Sequence, residues 1–353
     1  MTVIPTPAVQ PTMTGRARLL AAARREPVDT TPVWFMRQAG RCLPEYRALR
    51  ERHPFMEVAK TPELAVEATL MPIERFGVDG AVLFADIMLP LEGMGVPFRI
   101  EPKVGPVIDD PIRTRADVDR IIVGDAEDAT GYVMDALRLL RRELGDRAAS
   151  LGFSGAPFTL ACYLVEGHGS REYPRAKAMM YGDPDTWHAL MDKLTEVIIR
   201  YLRAQVAAGA DAVQLFDSWL GLVGSETYAT HVQPYTARIF AALRGLAPTI
   251  HFSTGTGHLL PQIVAAGPDM VSVDWRQPLD VSWGQLTPAQ GIQGNLDPTL
   301  LLGGWEVTRT AANDVLRRAG GRPGHIFNLG HGILPETDPD VLARLTRLVH
   351  GAD

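Results

Sequence analysis

Eight short apolar runs rich in β-branched and small residues recur along this chain: Val33–Met36, Gly80–Ala85, Ala149–Phe153, Ala212–Phe216, Thr249–Phe252, Met270–Val273, Gly291–Gly294 and His325–Asn328. Longer stretches of helical period lie between most of them. The clearest is Trp187–Ala208, where Leu190, Leu194, Ile198, Tyr201 and Leu202 recur at three- and four-residue steps. Leu137–Leu144 and Val341–Val349 follow the same period. The apolar runs are nearly continuous and do not alternate, the pattern of parallel strands covered by helices. Eight such strands alternating with helices in 353 residues predict an α/β fold, a single (β/α)8 barrel of TIM type. An open doubly wound sheet is the competing architecture, but it needs fewer strands and usually carries a dinucleotide fingerprint.

Two elaborations are expected on this frame. Gly15–Arg25 reads as an extra N-terminal helix packed outside the barrel, and Gly93–Asp110 as a hairpin inserted after the second strand. Residues 1–14, with three prolines and no periodicity, read as a flexible tail that lacks the basic and apolar regions of a signal peptide. Residues 15–353 then form one catalytic domain, for which 46% hydrophobic content supplies an ample core. A net charge of −6 argues against a nucleic-acid partner. No run of eighteen apolar residues offers a membrane span. Two cysteines without metal or redox spacing, Cys42 and Cys162, fit a reducing, cytoplasmic setting.

A barrel of this kind carries its chemistry at the C-terminal ends of the strands. Read in order, those ends deliver Arg37 and Arg41; Asp86; Ser154; Asp217 and Ser218; Ser253 and Thr254; Asp274; Asn295 and Asp297; and Asn328 and His331. Most of these residue types serve as caps for the following helix, and Asp217 and Asp297 are expected to do so. Asp86 differs, because Phe84-Ala85 before it and Ile87-Met88-Leu89-Pro90 after it frame a carboxylate with apolar residues and no cap setting. Desolvating it is costly unless donors reach it. Arg37 and Arg41 sit in PVWFMRQAGR, where a clustered guanidinium pair in an acidic protein points to an anion; ion pairing with Glu45 and other acids is the plainer alternative.

Familiar catalytic motifs are absent. GFSGAP lacks the glycine spacing of a nucleophile elbow. Gly255-Thr-Gly257 has no third fingerprint glycine and no phosphate-binding lysine, although its backbone could offer N–H groups to an anion at a helix start. The nine histidines are scattered and expected mostly on the surface, with His331 set apart by its flanking glycines in NLGHGILP. Residue chemistry thus describes an apolar mouth with two arginines for carboxylates and a carboxylate for N–H donors or developing positive charge.

Pro32–Arg41 (PVWFMRQAGR) and Gly152–Gly167 (GFSGAPFTLACYLVEG) resemble the two signature segments of the uroporphyrinogen decarboxylase family. LFADI at Leu83–Ile87, QLFDSW at Gln214–Trp219 and NLGHGI at Asn328–Ile333 continue the resemblance, which runs from about Gly15 to the end. It implies a (β/α)8 barrel, usually a homodimer, acting in the cytoplasm on the tetrapyrrole route to haem without a cofactor or metal. The implied reaction converts the four acetate side chains of a porphyrinogen to methyl groups. By the same resemblance Asp86 meets the pyrrole N–H groups, and Arg37 and Arg41 hold carboxylates. Arg37 also assists proton delivery or orients the departing acetate. Tyr163, Ser218 and His331 match further polar contacts, while Gln38, Phe153 and Phe216 line the pocket. Tyr163 also has a reading as a packing residue in a loop.

The chain also resembles corrinoid and thiol methyltransferases, which hold zinc through a His-x-Cys pair and a later Cys. Here His251-Phe-Ser253 keeps the histidine and lacks the cysteine, and both cysteines lie upstream.

Overall fold

The computed structural model describes residues 12–101 and 104–352. Seven strands form one parallel sheet: β1 (Gly80–Val82), β4 (Ala149–Gly155), β5 (Ala212–Asp217), β6 (Thr249–Ser253), β7 (Met270–Ser272), β8 (Gly291–Leu296) and β9 (His325–Leu329), each paired with the next in that order. Every residue of β4 is buried, as are those of β6 to β9. These are the continuous apolar runs of a sheet covered on its outer side. The eighth expected strand, Val33–Met36, is reduced to a seam. Val33 bridges Phe327 in parallel, the Phe327 amide donates to the Pro32 carbonyl at 2.8 Å, and the Asp79 amide donates to the Val33 carbonyl at 2.8 Å. Pro32 cannot donate a ladder hydrogen bond, and the chain turns away after Met36, so the ring closes between β9 and β1 over very few residues.

Helices cover the sheet where their periodicity places them. Pro184–Ala207 starts with Pro at its first turn, where a missing N–H costs nothing, and the Asp183 side chain accepts from the Thr186 amide at 3.3 Å. It buries Leu190, Leu194, Ile198, Tyr201 and Leu202. Its Gln205, also buried, accepts from the Phe153 amide at 2.8 Å and donates to the Phe153 carbonyl at 2.9 Å, clamping β4 from behind. Ala126–Leu144 packs on β4 with Leu137, Leu140 and Leu144 buried, and Pro339–Val349 buries Leu342, Leu345 and Val349 beside the helices Pro62–Phe76 and Trp305–Ala319. Gly15–Ala23 is a helix whose Arg18 reaches Asp79 at the start of β1. The insertion contains the antiparallel hairpin of β2 (Arg99–Glu101) and β3 (Gly105–Val107). The expected tail falls mostly outside the described residues. Of its end, the Met13 amide donates to Asp29 and the Thr14 side chain caps the first helix.

Two polar devices fix the ring. Inside it, Trp34 donates to Gln293 Oε1 at 2.9 Å, and the Gln293 amide donates to Gln214 Oε1 and Ser272 Oγ, both at 2.9 Å. Gln214 on β5 reaches Gln293 on β8 although two strands intervene, so these side chains share the barrel's interior. At the N-terminal end of β1, buried Asp79 accepts from Arg18 Nη1 at 2.6 Å, from the Val33 amide at 2.8 Å and from His350 Nε2 at 2.8 Å. One carboxylate thereby ties the first helix, the seam and the C-terminal helix together.

Candidate active site

The seam leads directly into Arg37. Its backbone lies in the left-handed region at φ 61°, where a non-glycine residue is uncommon. Gln38 holds that turn. Fully buried, it accepts from the Phe35 amide at 2.9 Å and donates to the Gly80 carbonyl at 2.8 Å, while its own amide donates to the Phe35 carbonyl at 3.1 Å. Its side-chain amide is engaged with backbone at both ends and braces the turn. The Ile333 amide donates to the Met36 carbonyl at 2.9 Å, drawing the His331 loop alongside. A Cβ on Gly332 would lie 2.5 Å from Arg37 Cδ, so a side chain there would push the exposed Arg37 side chain aside. Arg37 and Arg41 are both exposed, and neither side chain makes a hydrogen bond or ion pair within the described residues. Pairing of either guanidinium with Glu45 is not observed. Arg41 lies further along the rim, where its charge is felt by the Tyr46 phenol.

Asp86 is half-buried beyond β1. Its Oδ1 accepts from the Met88 amide at 2.8 Å, a local turn bond of the kind its apolar flanks had argued against. Oδ2 has no donor within the described residues. Burial raises the carboxyl above its ordinary pKa, opposed by the Met88 N–H and by the Arg37 charge. The carboxylate is thus short of partners, and a cation or N–H donor arriving from the mouth meets it.

His331 is also half-buried. The Gly332 amide donates to its Nδ1 at 2.7 Å, which leaves Nε2 carrying the proton. Burial lowers the imidazole to about 4, assisted by the positive charges of Arg37 and Arg276 and opposed by Asp274. It is a neutral donor at pH 7. The ring stands edge-on to Phe252, with centroids 5.9 Å apart. Phe252 meets Phe216, and Phe216 meets Phe153, each at 5.4 Å. Phe153 and Phe216, read as pocket lining, therefore stand together in an aromatic ladder that ends at His331.

Tyr163 lies in the helix Pro157–Glu166 and not in a loop. Its ring packs edge-on against Tyr173 at 6.0 Å and Trp219 at 6.1 Å, and these two meet at 5.1 Å. Burial raises the Tyr163 phenol, tempered by Tyr173 and Trp219; the Asp86 charge raises it further and the Arg37 charge lowers it. Arg37, Asp86, Tyr163 and His331 thus share one electrostatic neighbourhood. Ser218 is half-buried between Asp217 and Trp219. Its carbonyl accepts from Thr254 Oγ1 at 3.2 Å, and its hydroxyl has no partner within the described residues. Tyr173 and Trp219 were missed from sequence. Tyr173 is a fully buried aromatic held at φ 47°, a backbone state no sequence pattern announces.

The other strand-end groups largely hold one another. Asp297 caps the next turn through the Thr299 amide at 2.9 Å, as expected. Asp217 does not cap: its Oδ1 accepts from Thr159 Oγ1 at 2.8 Å, behind the sheet. The Gly255 amide, a candidate anion donor, is occupied by the Asp274 carboxylate at 2.6 Å. His251 and His325 are buried, contrary to the surface position expected of most histidines. Both cysteines are buried, with Cys42 pushed up to about 11 by desolvation, so neither is a reactive thiol.

Residues 14–352 match the family model described as Uroporphyrinogen decarboxylase (URO-D). The uroporphyrinogen decarboxylase of Sorangium cellulosum (strain So ce56) is 53% identical over 334 residues, covering 94% of this chain and 95% of that protein. That of Streptomyces coelicolor (strain ATCC BAA-471 / A3(2) / M145) is 51% identical over 341 residues, covering 96% of each. Among solved structures, a methyltransferase from Methanosarcina mazei aligns with a TM-score of 0.80 at 20% identity, covering 96% of this chain and 98% of that one. At that identity the likeness shows the fold alone.

Proposed function

Because the chain belongs to the uroporphyrinogen decarboxylase family, we propose that it converts the four acetate side chains of uroporphyrinogen to methyl groups, releasing CO2 and giving coproporphyrinogen. The observation that carries this reading is that, within the described residues, Asp86 Oδ2 has no donor and the nearby guanidinium groups of Arg37 and Arg41 have no acid of their own. Such a site complements a ligand with N–H donors at its centre and carboxylates at its edge.

The chemistry follows from where electrons can go. Direct loss of CO2 from an acetate leaves an unstabilised carbanion. Protonating the pyrrole carbon beside the acetate makes the ring a cationic electron sink. The bond to the carboxylate carbon then breaks, its electron pair enters the ring and CO2 departs. A proton added to the exocyclic carbon gives the methyl group and restores the charge, and loss of the first proton restores the pyrrole. Asp86 accepts hydrogen bonds from the pyrrole N–H groups and stabilises the developing cation. Arg37 and Arg41 hold substrate carboxylates bidentately. Arg37 further orients the departing acetate; a guanidinium gives up its proton too reluctantly to be a good general acid. The neutral Nε2–H of His331, the Ser218 hydroxyl and Tyr163 donate to acetate or propionate oxygens. No step calls on a cofactor or metal. The sp3 bridges of the porphyrinogen let it dome over one carboxylate, so the flat oxidised porphyrin binds poorly and does not react.

The domain from Gly15 onward acts as one catalytic unit, as a cytoplasmic homodimer; family membership supports these assignments, and sedimentation at twice 38.5 kDa tests the dimer. The reaction is tested by anaerobic incubation with freshly reduced uroporphyrinogen, followed by oxidation and separation of products by carboxyl number. A ladder from eight carboxyls to four, unchanged by chelator, is expected. Folded protein that removes no carboxyl overturns the reading.

A further inference from the structure

Behind the mouth, on the outer face of the sheet, lies a polar group of side chains that the proposed chemistry does not use. Gln214 points into the barrel, so Asp217, three residues on along β5, points out of it. His251 on β6 pairs in register with Leu215 and shares that outward face. Its ring meets Phe240 of the covering helix Gln233–Leu243 at 5.8 Å. Asp217 and His251 are both fully buried, with His251 Nε2 3.9 Å from Asp217 Oδ2. Within the described residues, neither ring nitrogen of His251 nor Asp217 Oδ2 has a hydrogen-bond partner. Buried polar groups are costly unless they serve one another, so this pair needs an explanation. From Asp217 a chain of bonds leads back to the site. Thr159 Oγ1 donates to Asp217 Oδ1 at 2.8 Å and accepts from the Trp219 amide at 3.4 Å. Trp219 carries its ring against Tyr163.

We propose that the Asp217–His251 pair is a positioning device, acting through Thr159 on the Ser218–Trp219 segment and, through the Trp219 ring, on Tyr163. The inference rests on the decarboxylase reading only for its effect on turnover. His251 Nε2 faces Asp217 Oδ2 at 3.9 Å, a polar contact longer than a hydrogen bond, and steadies the carboxylate so that its other oxygen holds the Thr159 hydroxyl. That hydroxyl fixes the Trp219 backbone where the chain leaves β5, and Ser218 is carried with it. None of the three residues touches substrate. A misplacement of roughly 1 Å in a positioning contact costs on the order of 100-fold in rate, and the loss of this tether is expected to cost about tenfold in kcat.

The test combines activity with a readout that does not need it. The protein is labelled with 5-fluorotryptophan, and the Trp219 resonance is identified by its loss in Trp219→Phe. Thr159→Val, which keeps volume and removes the hydroxyl, and His251→Leu are expected to broaden or split that resonance. They should also lower kcat about tenfold with KM nearly unchanged. His251→Gln, which returns a donor near the Nε2 position, is expected to restore both. An unchanged resonance in folded Thr159→Val overturns the proposal. So does failure of His251→Gln to improve on His251→Leu, which marks a packing role. If wild-type protein leaves uroporphyrinogen untouched, the decarboxylase reading fails while the resonance still decides the tether.

Discussion

Asp86 has two oxygens with different fates: one is held by the Met88 amide and the other has no donor within the described residues. Desolvation without full compensation raises its pKa, and the folded state bears that cost at neutral pH. Asp86→Asn keeps an acceptor for Met88 and removes the charge. Turnover is expected to fall about 10²–10³-fold, equivalent to roughly 3–4 kcal/mol, while thermal unfolding shifts upward. Steady-state kinetics and a melting curve on one preparation check both directions, and a lower melting temperature contradicts the desolvation account. Arg37→Ala is expected to raise KM, lower turnover and flatten the dependence of KM on ionic strength, since one unpaired cation at the mouth is gone. Measured salt slopes equal to wild type would remove its carboxylate-holding role. At this scale the sequence was legible where a polar residue followed an apolar run, as with Arg37, Asp86 and His331. It was opaque where function depends on who lies opposite. Gln38 braces backbone and Asp217 faces outward, facts set by tertiary neighbours and strand phase.

Seven of the eight expected strands form the sheet, because continuous apolar runs leave little choice of environment. The eighth was legible in place but not in extent. Val33–Met36 is as apolar as the others, yet its pairing is cut short by Pro32 on one side and the Arg37 turn on the other. What holds it is Asp79, an acid at the start of β1 whose partners come from both chain ends and which no periodicity could single out. Asp79→Ala strips a buried acceptor from Arg18 and from the Val33 amide together. A loss of about 3–5 kcal/mol is expected, measured by urea denaturation. A loss below about 1 kcal/mol would show the seam to be held by packing alone.

For the molecule as a whole, pH acts on stability through the buried His325 and the half-buried His331. His325, whose Nε2 bonds the Gly294 carbonyl at 2.9 Å, is lowered from 6.5 to about 4 by burial, as is His331. Between those values the unfolded chain binds more protons than the folded one, so stability rises with pH across the window. The full contribution is present above about 6.5 and is lost as pH falls towards 4. Asp86, with its raised pKa, contributes with the opposite sign at the acidic end. His325→Gln keeps a donor for Gly294 and removes the titration. Unfolding free energy between pH 4 and 6.5 is expected to flatten by up to one proton's worth of slope, and an unchanged slope refutes the assignment.

The seam also has a consequence in time. Strands joined by continuous ladders must part several hydrogen bonds at once, whereas the ring at Val33 and Phe327 is closed by a handful. Local opening draws on the regions with the fewest such bonds. The Phe327 and Asp79 amides, which donate across the seam, are therefore expected to exchange with deuterium sooner than those of β4 and β5. The least-held part of the barrel thus lies directly before Arg37, at the edge of the mouth.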